Sequence, residues 1–361
     1  MPLPPVTGHL DTRRRLAEAH RSGRLPQTLL FIGPAGVGKQ RLALWLAQLV
    51  QCEAPSDEPC GTCRSCRQVL GLQHADVHWL VPIPRPKAGD ADKQVEEAAE
   101  TLAAVMDERR LHPLYLPADG MASHGVASAR VLQRAASLTP VGPGPKVFIV
   151  GQAERLVPQE SSPEAANALL KLLEEPPADS LFVLTTTDAR RLLPTIRSRA
   201  VPVRLGRLSH EEVREFLAAE FKPALSATEL DARARHGAGS IGAALGGADD
   251  SQTDEAARSM LEALLSGPGP RLERALRQQP WSARGEFSAL LDAVADTLGE
   301  AARGAMGETV RRPVPAGLLG AEPESLFRAM DRVSEAREAA YGNVNPQLLL
   351  AVLGEDLAAL L

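Results

Sequence analysis

The hydrophobic pattern of the first half alternates between short runs and helical stripes. Thr28 to Ile32 is a brief apolar run closed by glycine, which predicts a buried strand. Arg41 to Val50 then carries helical spacing. Lys146 to Val150 predicts a second buried strand, and the helical stretch from Ala165 to Glu175 stops at Pro176-Pro177. Leu181 to Thr186 predicts a third strand and Val201 to Leu205 a short fourth. Strands alternating with helices imply a parallel sheet covered on both faces. From about Ser209 the pattern is helix alone. Ser209-His210-Glu211-Glu212 forms a capping box with Ser209 as cap. A glycine-rich break follows at Gly237 to Gly247. Amphipathic helices continue beyond it, interrupted at Gly267-Pro268-Gly269-Pro270 and at Arg312-Pro313. The expected fold class is therefore α/β followed by all-α.

Between Pro82 and Met121 the texture changes to prolines, a charged run from Asp90 to Glu100, and helical spacing through Met106. An inserted helical hairpin or a mobile excursion is expected, with disorder or surface decoration favoured, because such composition need not bury a core. The length of 361 residues suggests two or three domains. Aromatics are only 3%, so the core must be built from Leu, Ala and Val, which favours helices. The formal charge of -5 excludes a globally basic DNA-gripping surface and leaves room only for a local patch. No apolar run approaches a membrane span, and Met-Pro-Leu-Pro-Pro-Val lacks the pattern of a secretory signal. A cytoplasmic protein without membrane partners is the expectation.

All four cysteines fall in one short segment. Cys52, Cys60, Cys63 and Cys66 follow C-x7-C-x2-C-x2-C. Two-residue spacing lets paired thiolates converge on one ion, and four thiolates close a tetrahedron with no vacancy for water. Structural zinc is the expected occupant. An iron–sulfur cluster would use the same four thiolates, and free thiols are the plainest alternative. The segment Glu53 to Pro59 offers almost nothing to a hydrophobic core, so a metal would supply much of its folding free energy.

Gly33-Pro34-Ala35-Gly36-Val37-Gly38-Lys39 matches GxxxxGK between a strand and a helix. Gly33, Gly36, Gly38 and Lys39 are the candidate phosphate-binding residues. The chain has only six lysines among 40 basic residues, which argues against Lys39 by accident. The next residue, however, is Gln40, where a Ser or Thr hydroxyl is needed to ligate magnesium. The strand at Val147 to Val150 should end in a metal-binding aspartate, yet Gly151 follows. Glu154 is a carboxylate three positions late, expected as a solvated charge at a helix start. Without magnesium, hydrolysis loses its largest electrostatic term.

Taken together, these residues resemble the bacterial clamp-loader family, in its delta-prime branch of DNA polymerase III. GPAGVGK at 33–39, the cysteine module, Ala166-Asn167-Ala168-Leu169-Leu170-Lys171-Leu172-Leu173-Glu174-Glu175-Pro176-Pro177 and Leu192-Leu193-Pro194-Thr195-Ile196-Arg197-Ser198-Arg199 carry the resemblance. It covers about residues 8–81 and 123–250 well and the C-terminal helices more loosely, where Gly342-Asn343-Val344-Asn345-Pro346-Gln347-Leu348 looks like a collar end. The insertion near 84–122 lies outside the pattern. The resemblance implies an AAA+ sheet domain over 1–207, a helical lid over 208–250 and a helical collar for oligomerisation over 251–361. It implies partners as well: delta and gamma or tau subunits in a hetero-pentameric ring, with the sliding clamp and primed DNA reached through the complex.

The departures from the family select a role. Active loaders place an arginine at the end of the lid motif, where Gly239-Ser240-Ile241-Gly242 stands here. With Gln40 and Gly151, that removes three nucleotide contacts, so bound ATP is doubtful and magnesium-dependent hydrolysis is not expected. The family's Ser-Arg-Cys motif reads Ser198-Arg199-Ala200 and keeps its arginine. The resemblance implies that Arg199 is a finger acting in trans on a neighbour's ATP site, against the bland alternative of a surface arginine. A non-catalytic stator is the expected function. The alternatives are an active gamma/tau-like ATPase or another AAA+ motor, and a zinc-dependent DNA-binding module.

Overall fold

The computed structural model describes residues 3–114, 122–142, 144–157, 163–221, 224–245, 248–278, 284–310, 313–340 and 344–361. It parts the chain into two compact units, the first ending at Leu245 and the second comprising the helices beyond.

The first unit is built on a five-stranded parallel sheet. Its strands are β1 (Thr28–Ile32), β2 (Val77–Leu80), β3 (Lys146–Val150), β4 (Ser180–Thr186) and β5 (Val201–Arg204), in the order β2–β3–β4–β1–β5. The three central strands β1, β3 and β4 are buried almost throughout, as their continuous apolar runs require. The edge strand β5 is largely exposed and carries Pro202, a residue tolerated where one side of a strand is unpaired. β2 has no counterpart in the sequence reading. It is only four residues long and interrupted by His78, so periodicity alone passes over it. His78 stands opposite Phe148, and Phe148 opposite Phe182. Their rings stack at centroid distances of 5.1 and 4.9 Å across three strands.

Helices cover the sheet: α1 (Leu10–Arg21), α2 (Lys39–Gln51), α3 (Arg64–Leu70), α4 (Ala91–Leu111), α5 (Val126–Ala136), α6 (Glu164–Glu174) and the short α7 (Pro194–Arg197). Three more, α8 (His210–Glu220), α9 (Ala227–Gly237) and α10 (Ile241–Leu245), gather a small core of their own from Leu208, Val213, Leu217, Leu230, Ala234 and Ala244. The capping box at Ser209 and Glu212 is present, and Ser226 with Glu229 repeats it at α9. The second unit holds α11 (Ala248–Leu265), α12 (Pro268–Arg277), α13 (Arg284–Ala305), α14 (Pro323–Ala340) and α15 (Pro346–Leu360) around Leu261, Leu291, Leu326 and Leu350. Asn345 caps α15, while residues 341–343 of the expected collar end lie outside the described residues. So do residues 311–312 of the expected break. No helix among the described residues is long and apolar enough to cross a membrane.

The segment after Pro82 corrects the expectation of decoration. α4 is a single capped helix with Val95, Ala98 and Leu102 buried as one stripe. Glu97 accepts from the amides of Lys87 and Ala88 and ties the entry to the helix. The charges sit on the other face, which is why composition alone suggested a solvated excursion. Residues 115–121 lie outside the described residues.

Burial pushes two imidazoles down to about 4, His78 in the ring stack and His124 beneath the end of β3. Both fall below the ordinary value of 6.5, so the unfolded chain binds more protons between those limits. The first unit should therefore keep its full stability above about pH 6.5 and lose it steadily as pH falls towards 4. His78→Phe, which keeps the stack, should flatten that slope by up to one proton. Melting temperature followed from pH 7 to pH 4.5 checks this, and an unchanged slope in the variant contradicts it.

Candidate functional site

The phosphate loop lies where the sequence placed it, between the end of β1 and the start of α2. Gly36 and Gly38 take φ of 68° and 96°, the left-handed region that favours glycine. Lys39 is buried, and its ammonium donates to the carbonyls of Gly33 at 2.7 Å and Pro34 at 2.6 Å. Desolvation pushes its pKa down to about 8, and the Glu154 carboxylate pulls it partly back. The loop's other carbonyls are taken by residues from elsewhere. Ser240 Oγ donates to Ala35 O at 3.0 Å, Gly242 N to Gly36 O at 3.0 Å, and His9 Nε2 to Val37 O at 2.7 Å. Gly33, Gly36, Gly38 and Lys39 thus come together in a loop whose carbonyls from Gly33 to Val37 are each engaged.

Gly242 packs directly on the loop. A Cβ built there would lie 2.7 Å from the Gly36 Cα. A Cβ on Gly36 would lie 2.2 Å from Ser240 Oγ. Two glycines therefore allow backbone to meet backbone.

Gln40 and Gly151 are also neighbours in space. A Cβ built on Gly151 would lie 2.7 Å from Gln40 Oε1 and 2.8 Å from its Cδ. Gln40 Oε1 accepts from Trp79 Nε1 at 3.0 Å, which holds the carboxamide in that corner. Gly151 is fixed from both sides, its amide donating to Leu80 O at 2.8 Å and its carbonyl accepting from His124 Nε2 at 2.7 Å. The carboxamide fills the space an acidic side chain at 151 would need.

Glu154 departs from its expectation as a solvated charge. It is buried, and Oε1 accepts from Thr187 Oγ1 at 2.9 Å. Folding carries it under the end of β4, because the turn after β3 is a tight 3-10 segment.

The cysteines form a second site. Their four Sγ atoms lie within 4.8 Å of one another, with Cys60 and Cys66 at 3.9 Å. A tetrahedron with Zn–S of about 2.3 Å has edges of about 3.8 Å, so the spacing fits that ion. The amides of Cys60, Cys63 and Cys66 donate to Cys52, Cys60 and Cys63 sulfurs, each at 3.3 Å. Such bonds favour thiolates, and they lower Cys60 to about 6. Burial raises Cys52 and Cys66, a cost that a divalent cation offsets. Cys63 also caps α3. The loop is stapled to the sheet unit: Glu58 accepts from Trp45 Nε1 at 2.6 Å and pairs with Arg13 at 2.5 Å, and Asp57 pairs with Arg21 at 2.9 Å.

Arg199 lies on the connection from α7 to β5. Its neighbours Ile196 and Ala200 are buried, which pins the backbone on both sides. Its Nη1 donates to Thr195 O at 2.8 Å, and its Nη2 meets Glu174 Oε1 at 2.7 Å. These partners come from α6 and α7. Trp79, Thr187, His9 and Glu174 were all missed in the sequence, since each meets its partner only through the fold.

The cysteine geometry predicts about one equivalent of zinc per chain, measured by metal analysis of protein prepared without chelator. Less than half an equivalent contradicts it. Chelation, or Cys66→Ser, should lower the melting temperature of the first unit and generate no activity.

The family described as "DNA polymerase III, delta subunit" matches residues 8–209, more than half of the chain. A DNA polymerase III subunit tau of Salmonella typhimurium is 28% identical over 98% of this chain and 46% of its own length. A DNA polymerase III subunit delta' of Bacillus subtilis is 31% identical over 49% of this chain and 41% of its own. The chain thus spans less than half the length of these curated relatives. A solved DNA polymerase III gamma subunit-related protein of Thermotoga maritima aligns with a TM-score of 0.39 and 18% identity, covering 98% of this chain and 99% of its own. The phosphate loop, the strand that follows it in the sheet and the arginine after α7 all fall within the matched residues, and the chain belongs to the DNA polymerase III delta-subunit family of clamp-loader proteins.

Proposed function

We propose that the chain is a non-hydrolysing stator of a DNA polymerase III clamp loader, and that it lends Arg199 to the ATP site of a neighbouring subunit. The observation that carries this reading is the occupied metal corner. Gln40 replaces the hydroxyl that would bind magnesium, and its amide fills the space left by the missing carboxylate at Gly151. The Lys39 ammonium is turned onto the Gly33 and Pro34 carbonyls, so a triphosphate would have to draw it away from them. Without a metal, the charge that grows on the γ-phosphate has no counterion.

The rest of the assignment belongs to the same reading. The sheet over 1–207, the lid over 208–250 and the collar over 251–361 would join delta and gamma or tau subunits in a five-membered ring. That ring would place the sliding clamp on primed DNA. The collar offers an apolar face to such partners: Leu272 and Leu276 of α12 and Leu348 and Val352 of α15 are exposed, and Gln347 ties α15 to the end of α12. An active gamma/tau-like ATPase is the second reading, favoured by the match to a tau subunit along nearly the whole chain.

ATP turnover separates the two. The purified chain should show no magnesium-dependent hydrolysis above a Lys39→Ala control. Gln40→Thr alone should not create it, since Gly151 still supplies no carboxylate. Turnover by the wild-type chain selects the second reading.

The complex tests the finger. Arginine fingers contribute about 10³–10⁵ in rate in GTPases. A ring with several ATP sites should lose only the one that Arg199 serves, so the total effect is smaller. Arg199→Ala should leave assembly intact, lower DNA- and clamp-stimulated hydrolysis by the reconstituted complex, and impair loading. The exposed Arg197→Ala is the control. Loading by Arg199→Ala at the wild-type rate removes the finger from the mechanism.

A further inference from the structure

The geometry points to Glu174 as the positioning residue for Arg199. This inference rests on the finger reading above and names the group that prepares the finger for use. Glu174 is the last residue of α6. A carboxylate there faces the negative end of the helix dipole and gains nothing from its own helix. Its partner is the guanidinium, with Oε1 2.7 Å from Arg199 Nη2. The place of Glu174 is well defined. Glu175 leaves the helical region at φ −126° and ψ 69°, and Pro176-Pro177 ends the helix.

Arg199 is equally constrained at its base. The amide of Ser198 donates to Pro194 O at 3.0 Å and that of Arg199 to Ile196 O at 3.1 Å. Its Nη1 bond to Thr195 O is a short local brace. Two braces from two elements therefore orient one guanidinium, the carbonyl on Nη1 and the carboxylate on Nη2. A guanidinium has five N–H donors, so these contacts leave donors free for a phosphate.

The strength of the contact decides between holding and masking. The Arg199 side chain is 33% exposed and that of Glu174 44%, and an exposed ion pair shifts an equilibrium by only about two- to five-fold. A mask so weak yields at once to a phosphate, which offers two acceptor oxygens and more charge. A brace of that strength still has value. A free arginine samples many rotamers, and limiting them before assembly reduces what must be ordered when the neighbour's nucleotide arrives.

The test uses the reconstituted complex with clamp and primed DNA, and reads ATP turnover for five proteins: wild type, Glu174→Ala, Glu174→Gln, Arg199→Ala and the Glu174→Ala/Arg199→Ala double variant. Melting curves of each chain confirm folding. Within the share of stimulated kcat that Arg199→Ala removes, Glu174→Ala should cost about two- to five-fold, and KM for ATP should stay unchanged. In the Arg199→Ala background the same change should have no further effect, because the brace then holds nothing. Glu174→Gln keeps an acceptor oxygen at the same reach and should recover most of the loss. Faster turnover by Glu174→Ala would show a mask and overturn the proposal. So would an equal loss in the Arg199→Ala background, which marks an independent role. If Arg199→Ala slows the complex while Glu174→Ala does not, positioning fails and the finger stands. If Arg199→Ala has no effect, the finger reading fails and the proposal falls with it.

Discussion

The parallel register of β1, β3 and β4 brings three strand ends to one edge. Ile32 stands beside Thr186 and Val150 beside Leu184, so the chain leaves all three strands at nearly the same height. The exits are stitched by the Gly33 amide to Thr186 O at 3.2 Å and the Gln152 amide to Thr185 Oγ1 at 3.2 Å. Parallel strands have their C-terminal ends on one side, which is where this architecture presents ligand-binding loops. The phosphate loop, Gly151 and Thr187 meet there because the strands are buried and cannot slip by one residue without turning apolar side chains outward.

At that edge the loop and the strand ends are closely packed against their neighbours. Gln40, Trp79 and Gly151 form one contact set, and Gly36, Ser240 and Gly242 form another. At Gly36, Gly151 and Gly242 the approach is so close that a side chain would have no room. Glycine at 151 leaves room for the Gln40 carboxamide, and glycine at 242 lets α10 begin against the loop. The buried ammonium of Lys39 stays solvated by carbonyls in place of a phosphate. An interior polar group needs some partner, and here the loop supplies it.

The cysteine module supports the same edge from behind. Its loop is tied to α1 by Arg13–Glu58 and Arg21–Asp57 and to α2 by Trp45–Glu58. Arg13 also lies over the Trp45 ring at 5.4 Å. Both helices touch the phosphate loop, α2 by following it and His9, the cap of α1, by bonding Val37. The module thus adjoins the two helices that frame the phosphate loop. α4 contributes at another point, where Arg109 lies 4.2 Å over the Trp79 ring whose indole holds Gln40.

Local pattern by itself determined four strands, most of the helices that follow the first, second and fourth of them, the phosphate loop and the cysteine cluster. Each is encoded within a few consecutive residues: an apolar run with a glycine stop, a GxxxxGK string, or two-residue thiol spacing. β2 escaped because four residues with a histidine carry too little period, and α4 was misjudged because its charged face outweighs its narrow apolar stripe. The tertiary structure alone decided what surrounds the phosphate loop. Gln40 meets Trp79 across 39 positions and Ser240 meets Ala35 across 205. It also buried Glu154 and set Glu174 against Arg199. No local spacing encodes such meetings, because they depend on which strands lie side by side and on how closely glycine lets two backbones approach.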